Sequence, residues 1–183
     1  MTTLTPLVPR LFSFVGGHAG PWVVVDVRNI AGEPLPMTPR PAEPPLAASW
    51  VLRGITSSER YVERVEKVAL VQKQEGLGRQ SSTCAAFIPI RKSAAWWALA
   101  QDERREIFEA QSRHIAIGMK YLPAIARRLH HCRDLGPEEP FDFLTWFEYA
   151  PSDAAAFDEL LRALRASPEW AYVDREVELR LTL

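Results

Sequence analysis

The spacing of apolar positions changes several times along the chain, and each change marks an element. Residues 11–15 (LFSFV) and 22–27 (WVVVDV) are rich in β-branched and aromatic side chains. The turn-forming stretch 16–21 separates them, which predicts a β-hairpin. Residues 34–45 hold six of the fifteen prolines. Each proline fixes φ and removes a backbone donor, so this stretch reads as an extended loop or linker. SWVLRGIT (49–56) resumes strand character. Beyond it Tyr61, Val62, Val65, Val68, Ala69 and Gln72 fall at helical steps, with Ser57 or Ser58 as the cap and Gly76 and Gly78 as the stop. AAFIPI (85–90) is a short apolar strand with an irregularity or an edge at Pro89.

The second half is more regular. Ser93 caps a turn carrying Trp96 and Trp97, and Asp102 caps a run to Lys120 in which Ile107, Ala110, His114, Ile117 and Tyr121 share one face. Pro123 should break or kink this run, and a second helical piece continues to about Cys132. FDFLTWFEY (141–149) alternates as a strand. Ser152 caps a helix with Phe157, Leu160, Leu161 and Leu164, and residues 171–181 alternate again. Strand, long helix, strand, helix, strand is the order of an α+β ferredoxin-like unit, with helices on one face of an antiparallel sheet. The first half looks like a shortened version with three strands and one helix. The chain therefore reads as one domain, residues 1–183, built from a truncated half (1–80) and a complete half (81–183).

At 183 residues and 47% apolar composition, the chain can bury a core without staples. A formal net charge of −1 gives no general field for nucleic acid or an anionic membrane, although local charge could still hold a small anion. Two cysteines, Cys84 and Cys132, are too few for a disulfide framework. Glycines interrupt the N-terminal apolar stretch, and no run approaches the ~18 apolar residues of a membrane helix. A soluble, cytoplasmic protein with reduced thiols is expected.

The four histidines are His18, His114, His130 and His131; no HxxxH or CxxC pair occurs, and no acidic loop suggests a calcium site. One histidine can still hold haem iron, because the porphyrin supplies four ligands. On periodicity alone His114 reads as a hydrogen-bonded core residue. His130 and His131, beside Arg127, Arg128 and Arg133, equally suit a helix C-terminus. Trp96 and Trp97 equally suit a core. Nucleophile elbows and phosphate loops are missing. These patterns stop at a soluble α+β domain.

The order of residues goes further. IPIRKSAAWWALAQDERREIFEAQSRHIAIGMKYLPAIARRLHHCRDLG (88–136), FDFLTWFEYA (141–150) and EWAYVDREVELRL (169–181) resemble the chlorite dismutase family. WVLRGITSSERYVERVEK (50–67) and QEGLGR (74–79) resemble its short-chain branch. The resemblance implies a haem b protein in which ferredoxin-like halves form a dimeric α/β barrel with a truncated N-terminal half. It implies decomposition of chlorite to chloride and dioxygen. Position by position, His114 resembles the proximal iron ligand, Glu169 its acidic partner and Arg127 the distal arginine. Gln74 resembles the residue that holds this arginine in one orientation. Lys92 and Trp96 resemble haem-edge residues near the propionates. Leu129, Thr145 and Phe147 resemble the distal lining, and Ile117 falls beside the histidine.

The chemistry suits those residue types. A carboxylate on one imidazole nitrogen makes the other a stronger donor to iron and lowers the iron's potential. O–Cl cleavage would leave a ferryl and a hypochlorite-type fragment. A permanently charged guanidinium in an apolar pocket could hold that oxyanion until it recombines. Thirteen steps separate His114 from Arg127, about 20 Å on a straight helix, so the chain must turn near Tyr121–Pro123 for both to reach one iron. Three other readings remain: a coproporphyrin decarboxylase of the same family, a haem-carrying protein without turnover, and a haem-free binding barrel. Glu169→Ala is expected to weaken the histidine–iron bond with the fold intact.

Overall fold

The computed structural model describes residues 10–36, 48–56 and 60–183. Most of the proline-rich stretch and the two candidate caps Ser57 and Ser58 lie outside these residues. Seven strands form one antiparallel sheet: β1 (Leu11–Gly17), β2 (Val23–Ala31), β3 (Ala48–Ile55), β4 (Cys84–Lys92), β5 (Ala126–His131), β6 (Phe143–Tyr149) and β7 (Val173–Thr182). Their order is β1-β3-β5-β6-β4-β7-β2.

β1 and β2 are therefore not a hairpin. β1 pairs with β3 and β2 with β7, at opposite edges of the sheet. Glycine-rich sequence between two apolar strands mimics a turn, but here it is a tether. Seven flat strands would put the edges about 29 Å apart, while the five residues 18–22 span at most about 20 Å, so the sheet must curl. The contacts agree. Phe14 of β1 and Trp22, just before β2, both meet Trp146 of β6, at ring separations of 6.1 and 5.5 Å.

Alternation gives the curled sheet two faces. Ala85, Phe87, Leu144, Val177, Leu179 and Leu181 point inward and join Phe14, Trp22, Trp50 and Trp146 in an aromatic core. Ala86, Ile88, Phe147 and Tyr149 point outward and pack beneath helix α5 (Ala154–Arg165), which buries Phe157, Leu160, Leu161 and Leu164. Helix α5 and 81–183 as a whole follow the predicted order closely, with one added strand.

That strand is β5. The expected second helical piece, up to Cys132, is extended from Ala126 to His131. Arg128 lies exposed and His130 buried in a ladder with β6, so the basic cluster does not decorate a helix end. The expected long helix is also shorter. It consists of α2 (Ala94–Ala98), α3 (Gln101–Arg105), a π-turn segment (Glu106–Gln111) and α4 (His114–Lys120). Arg113 adopts a left-handed conformation (φ 54°), which ends one helix and starts the next. Helix α1 (Arg64–Lys73) begins after Tyr61, which is also left-handed, and Glu66 reaches back to the Glu63 N–H at 2.8 Å. Its predicted apolar face is exposed at Val65 and Val68, and Leu70 is the buried residue. Among the described residues no helix is long and apolar enough to cross a membrane.

Candidate active site

His114 is the first residue of α4, and its surroundings fix it from three directions. Glu109 bends back from the π-turn and accepts the Ile115 and Ala116 N–H groups at 2.6 and 3.3 Å, capping the helix with negative charge at its positive end. Phe108 lies nearly parallel to the imidazole, with centroids 4.3 Å apart. Glu169, buried in a short 3-10 turn (Pro168–Tyr172), meets His114 Nδ1 through Oε2 at 2.7 Å. Its own N–H donates to Ser112 Oγ at 2.8 Å. Nδ1 is thus engaged, which leaves Nε2 for a metal.

The other Glu169 oxygen accepts from Lys92 Nζ at 2.7 Å. Lys92, which the family resemblance gives as a haem-edge residue, is buried behind the histidine–glutamate pair, its ammonium 4.7 Å from the Trp96 ring and 5.4 Å from the Trp170 ring. Burial lowers its proton affinity, and Glu169 opposes that effect. Burial pushes the Glu169 carboxyl up, but His114 and Lys92 outweigh it and hold the group at about 2.

Arg127 stands on the outward face of β5. Register places it opposite Phe147, and Leu129 opposite Thr145, so all four share one face. Ile88 and Ala86 of β4 complete that floor. Ile117 of α4 packs against the same cluster. The chain turns at residues 121–125, where expected, and so brings β5 back beside α4. Among the described residues the Arg127 guanidinium has no hydrogen bond and no ion pair, and burial alone shifts its proton affinity downward.

Gln74 meets Arg127 at the backbone, where Nε2 donates to the Arg127 carbonyl at 2.9 Å. Arg79 adds a brace that residue spacing did not reveal. Its guanidinium donates to Pro123 O at 2.9 Å and Ala124 O at 2.6 Å, and Gly78 N donates to Glu148 at 2.5 Å. The loop 74–79 thus clasps the turn that leads into β5. Glu109 was likewise missed, since its partners are backbone groups that no side-chain pattern reports.

These residues fit a haem. His114 offers one nitrogen. The Trp96 side chain is buried with an Nε1–H that has no partner among the described residues, a donor suited to a propionate. Arg127 offers an uncompensated cation on an apolar floor. Among the described residues no cluster of three or more metal-ligating side chains exists, so a bare ion would find too few ligands.

Comparison with known proteins agrees with this arrangement. Residues 44–182 match the chlorite dismutase family model. A chlorite dismutase of Ideonella dechloratans is 29% identical over 123 residues, which are 66% of this chain and 40% of that protein. The crystal structure of a dimeric chlorite dismutase from Nitrobacter winogradskyi superposes with a TM-score of 0.84 at 56% identity, covering 93% of this chain and 99% of that one. A chlorite dismutase from Candidatus Nitrospira defluvii, solved with imidazole, gives 0.61 at 26% identity over 75% of this chain and 56% of its own. The chain thus spans well under two thirds of the Ideonella and Nitrospira proteins, while matching the Nitrobacter chain almost end to end. With its histidine–carboxylate pair and lone arginine on facing elements, and with the match running from residue 44 to 182, the chain belongs to the chlorite dismutase family.

Proposed function

We propose that this protein is a haem b enzyme that decomposes chlorite to chloride and dioxygen and works as a homodimer. One observation carries the reading: a half-buried guanidinium with no counter-charge among the described residues, on an apolar floor that faces the helix of His114. Haem, when bound, would supply the redox chemistry of O–Cl cleavage. The protein's residues supply the rest. His114 Nε2 would hold the iron, and Glu169 keeps Nδ1 as a donor, which fixes the ring and enriches the other nitrogen. Lys92 keeps that carboxylate ionised and in place. Trp96 Nε1 would offer a donor to a propionate. Arg127 holds the chlorite oxyanion, and Phe147, Ile117 and Leu129 keep water scarce, which strengthens the hold. Because the cation has no competing partner among the described residues, it would be free to keep an oxyanion in the pocket.

The β-α-β-β-α-β order of β4 to β7 supports reading 81–183 as a complete ferredoxin-like half, with 1–80 as its truncated counterpart and the curled sheet as the barrel. The dimeric Nitrobacter relative supports a second copy. The free thiols of Cys84 and Cys132 support a reducing, cytoplasmic compartment.

An oxygen electrode tests the assignment. On adding chlorite the haem-loaded protein should release dioxygen, and Arg127→Ala should lose about tenfold or more of that rate, or inactivate sooner as hypochlorite escapes. Equal rate and equal durability of the two proteins would remove Arg127 from its role. Iron coproporphyrin with peroxide should keep its propionates; their loss would favour the decarboxylase.

A further inference from the structure

Two carboxylates that the site does not use are fully buried. Glu176 and Glu178 stand on the outward face of β7, beneath the end of helix α5. Burying a carboxylate is costly unless its oxygens have donors. Glu178 is held by arginines alone: Arg165 Nη2 at 2.6 Å, Arg180 Nε at 2.6 Å and Arg28 Nη1 at 3.4 Å. This ion network ties α5 to the sheet. Glu176 differs. Its Oε1 accepts from Arg165, through Nε at 3.0 Å and Nη2 at 2.6 Å, but its Oε2 accepts from the Trp170 indole N–H at 2.8 Å. Glu176 thus repeats the plan of Glu169, with one oxygen on a cation and the other on a ring nitrogen.

We propose that Glu176 is a positioning residue for Glu169: by pinning the Trp170 indole to β7, it sets the turn that presents the Glu169 carboxylate to His114. The inference rests on the iron-ligand role given above to His114. Trp170 follows Glu169 in the same five-residue 3-10 turn. Its ring also lies 5.4 Å from Lys92 Nζ, the ammonium bonded to the far oxygen of Glu169. One anchor on Trp170 therefore reaches Glu169 twice, through the backbone of the turn and through the cation. The chain of contacts starts at His114 Nδ1, the nitrogen not left for iron, and leads away into β7 and α5. A haem on Nε2 does not displace it.

The test compares wild type, Glu176→Ala, Trp170→Phe, their double variant and Glu178→Gln. In ferrous haem-loaded protein, resonance Raman reads the iron–histidine stretch; haem loss is followed by transfer to apomyoglobin. In haem-free protein, NMR reads the Trp170 indole N–H and the His114 Nδ1 resonances. Glu176→Ala should shift both resonances, lower the stretch and speed haem loss about tenfold. Trp170→Phe keeps an aromatic face for Lys92 but has no indole N–H, and it should lower the stretch as well. Adding it to Glu176→Ala should change haem loss less than about twofold further, because the two residues act through one bond. Glu178→Gln cuts the same arginine network without touching Trp170. It should lower the thermal midpoint and leave the stretch at its wild-type position. A stretch unmoved by Glu176→Ala would overturn the inference. So would an equal fall in Glu178→Gln, which would mean that the effect is a general loosening of α5. If haem-loaded wild type shows no iron–histidine stretch, the role of His114 fails, and the haem-free resonances still decide: a His114 Nδ1 resonance unmoved by Glu176→Ala would remove Glu176 from its place.

Discussion

The two sides of the candidate site are built on opposite plans. Around His114 every polar group has a partner: Glu169 on Nδ1, Lys92 on the far oxygen of Glu169, Ser112 on its N–H, and Glu109 on the helix start. Around Arg127 the backbone is gripped by Gln74, and the turn before it by Arg79, but the charge itself is left alone. A saturated network holds a ligand nitrogen still. In the proposed function the unpaired cation takes an anion from outside. A cation without a partner costs stability, and the proposed anion would explain it.

This contrast can be broken by measuring unfolding free energies. The largest effect is expected for Glu169→Ala. Sequence reasoning left the fold intact in this variant, but removal of the carboxylate strands a buried Lys92 ammonium. A loss of about 3–5 kcal/mol in urea denaturation should follow. Glu169→Ala combined with Lys92→Met should recover much of it, and no recovery would mean that Lys92 does not depend on Glu169.

Next comes a pH effect at the far end of β5. Burial, with Arg60 nearby, holds the His131 imidazole neutral and lowers its pKa from 6.5 to about 4. A folded-state value below the unfolded one means that the unfolded chain takes up the proton first. Stability is therefore full above pH 6.5 and falls as pH drops toward 4, by about 2 kcal/mol between pH 7 and pH 5. His131→Gln should flatten that slope. A slope of wild-type size in the variant would move the effect to another group.

Glu109→Ala should cost about 1 kcal/mol, the usual worth of a helix cap, and should loosen His114 as seen in a slower uptake of haem. The smallest change is expected for Arg127→Leu. Replacing a half-buried, unpaired cation with an apolar side chain should leave stability within about 1 kcal/mol of wild type or raise it. A large loss would show that Arg127 has a structural partner after all.

Much of the architecture was legible because it follows hydrophobic period. The strands of the second half and helix α5, with its Phe157, Leu160, Leu161 and Leu164 stripe, have period-2 and period-3.6 patterns that burial confirms. β5 was illegible because ARRLHH has helical composition and owes its extension to a ladder with β6, a contact between distant residues. The break at Ser112–Arg113 carries neither glycine nor proline; Glu109 makes it by bonding the next helix's amides. The false hairpin came from reading a short connection as local pairing, when sheet curvature had brought two edges together. At the site, His114, Glu169 and Arg127 came from family resemblance, and the position of Lys92 did not, because its burial depends on how the 3-10 turn folds over β4.

The tether between β1 and β2 has one more implication. Neither strand depends on it for pairing, since β3 and β7 hold them from the other side. Gly20 has open space around it. The chain could therefore be opened or lengthened there without dismantling a ladder, which makes residues 18–21 a natural entry point for circular permutation or a grafted reporter.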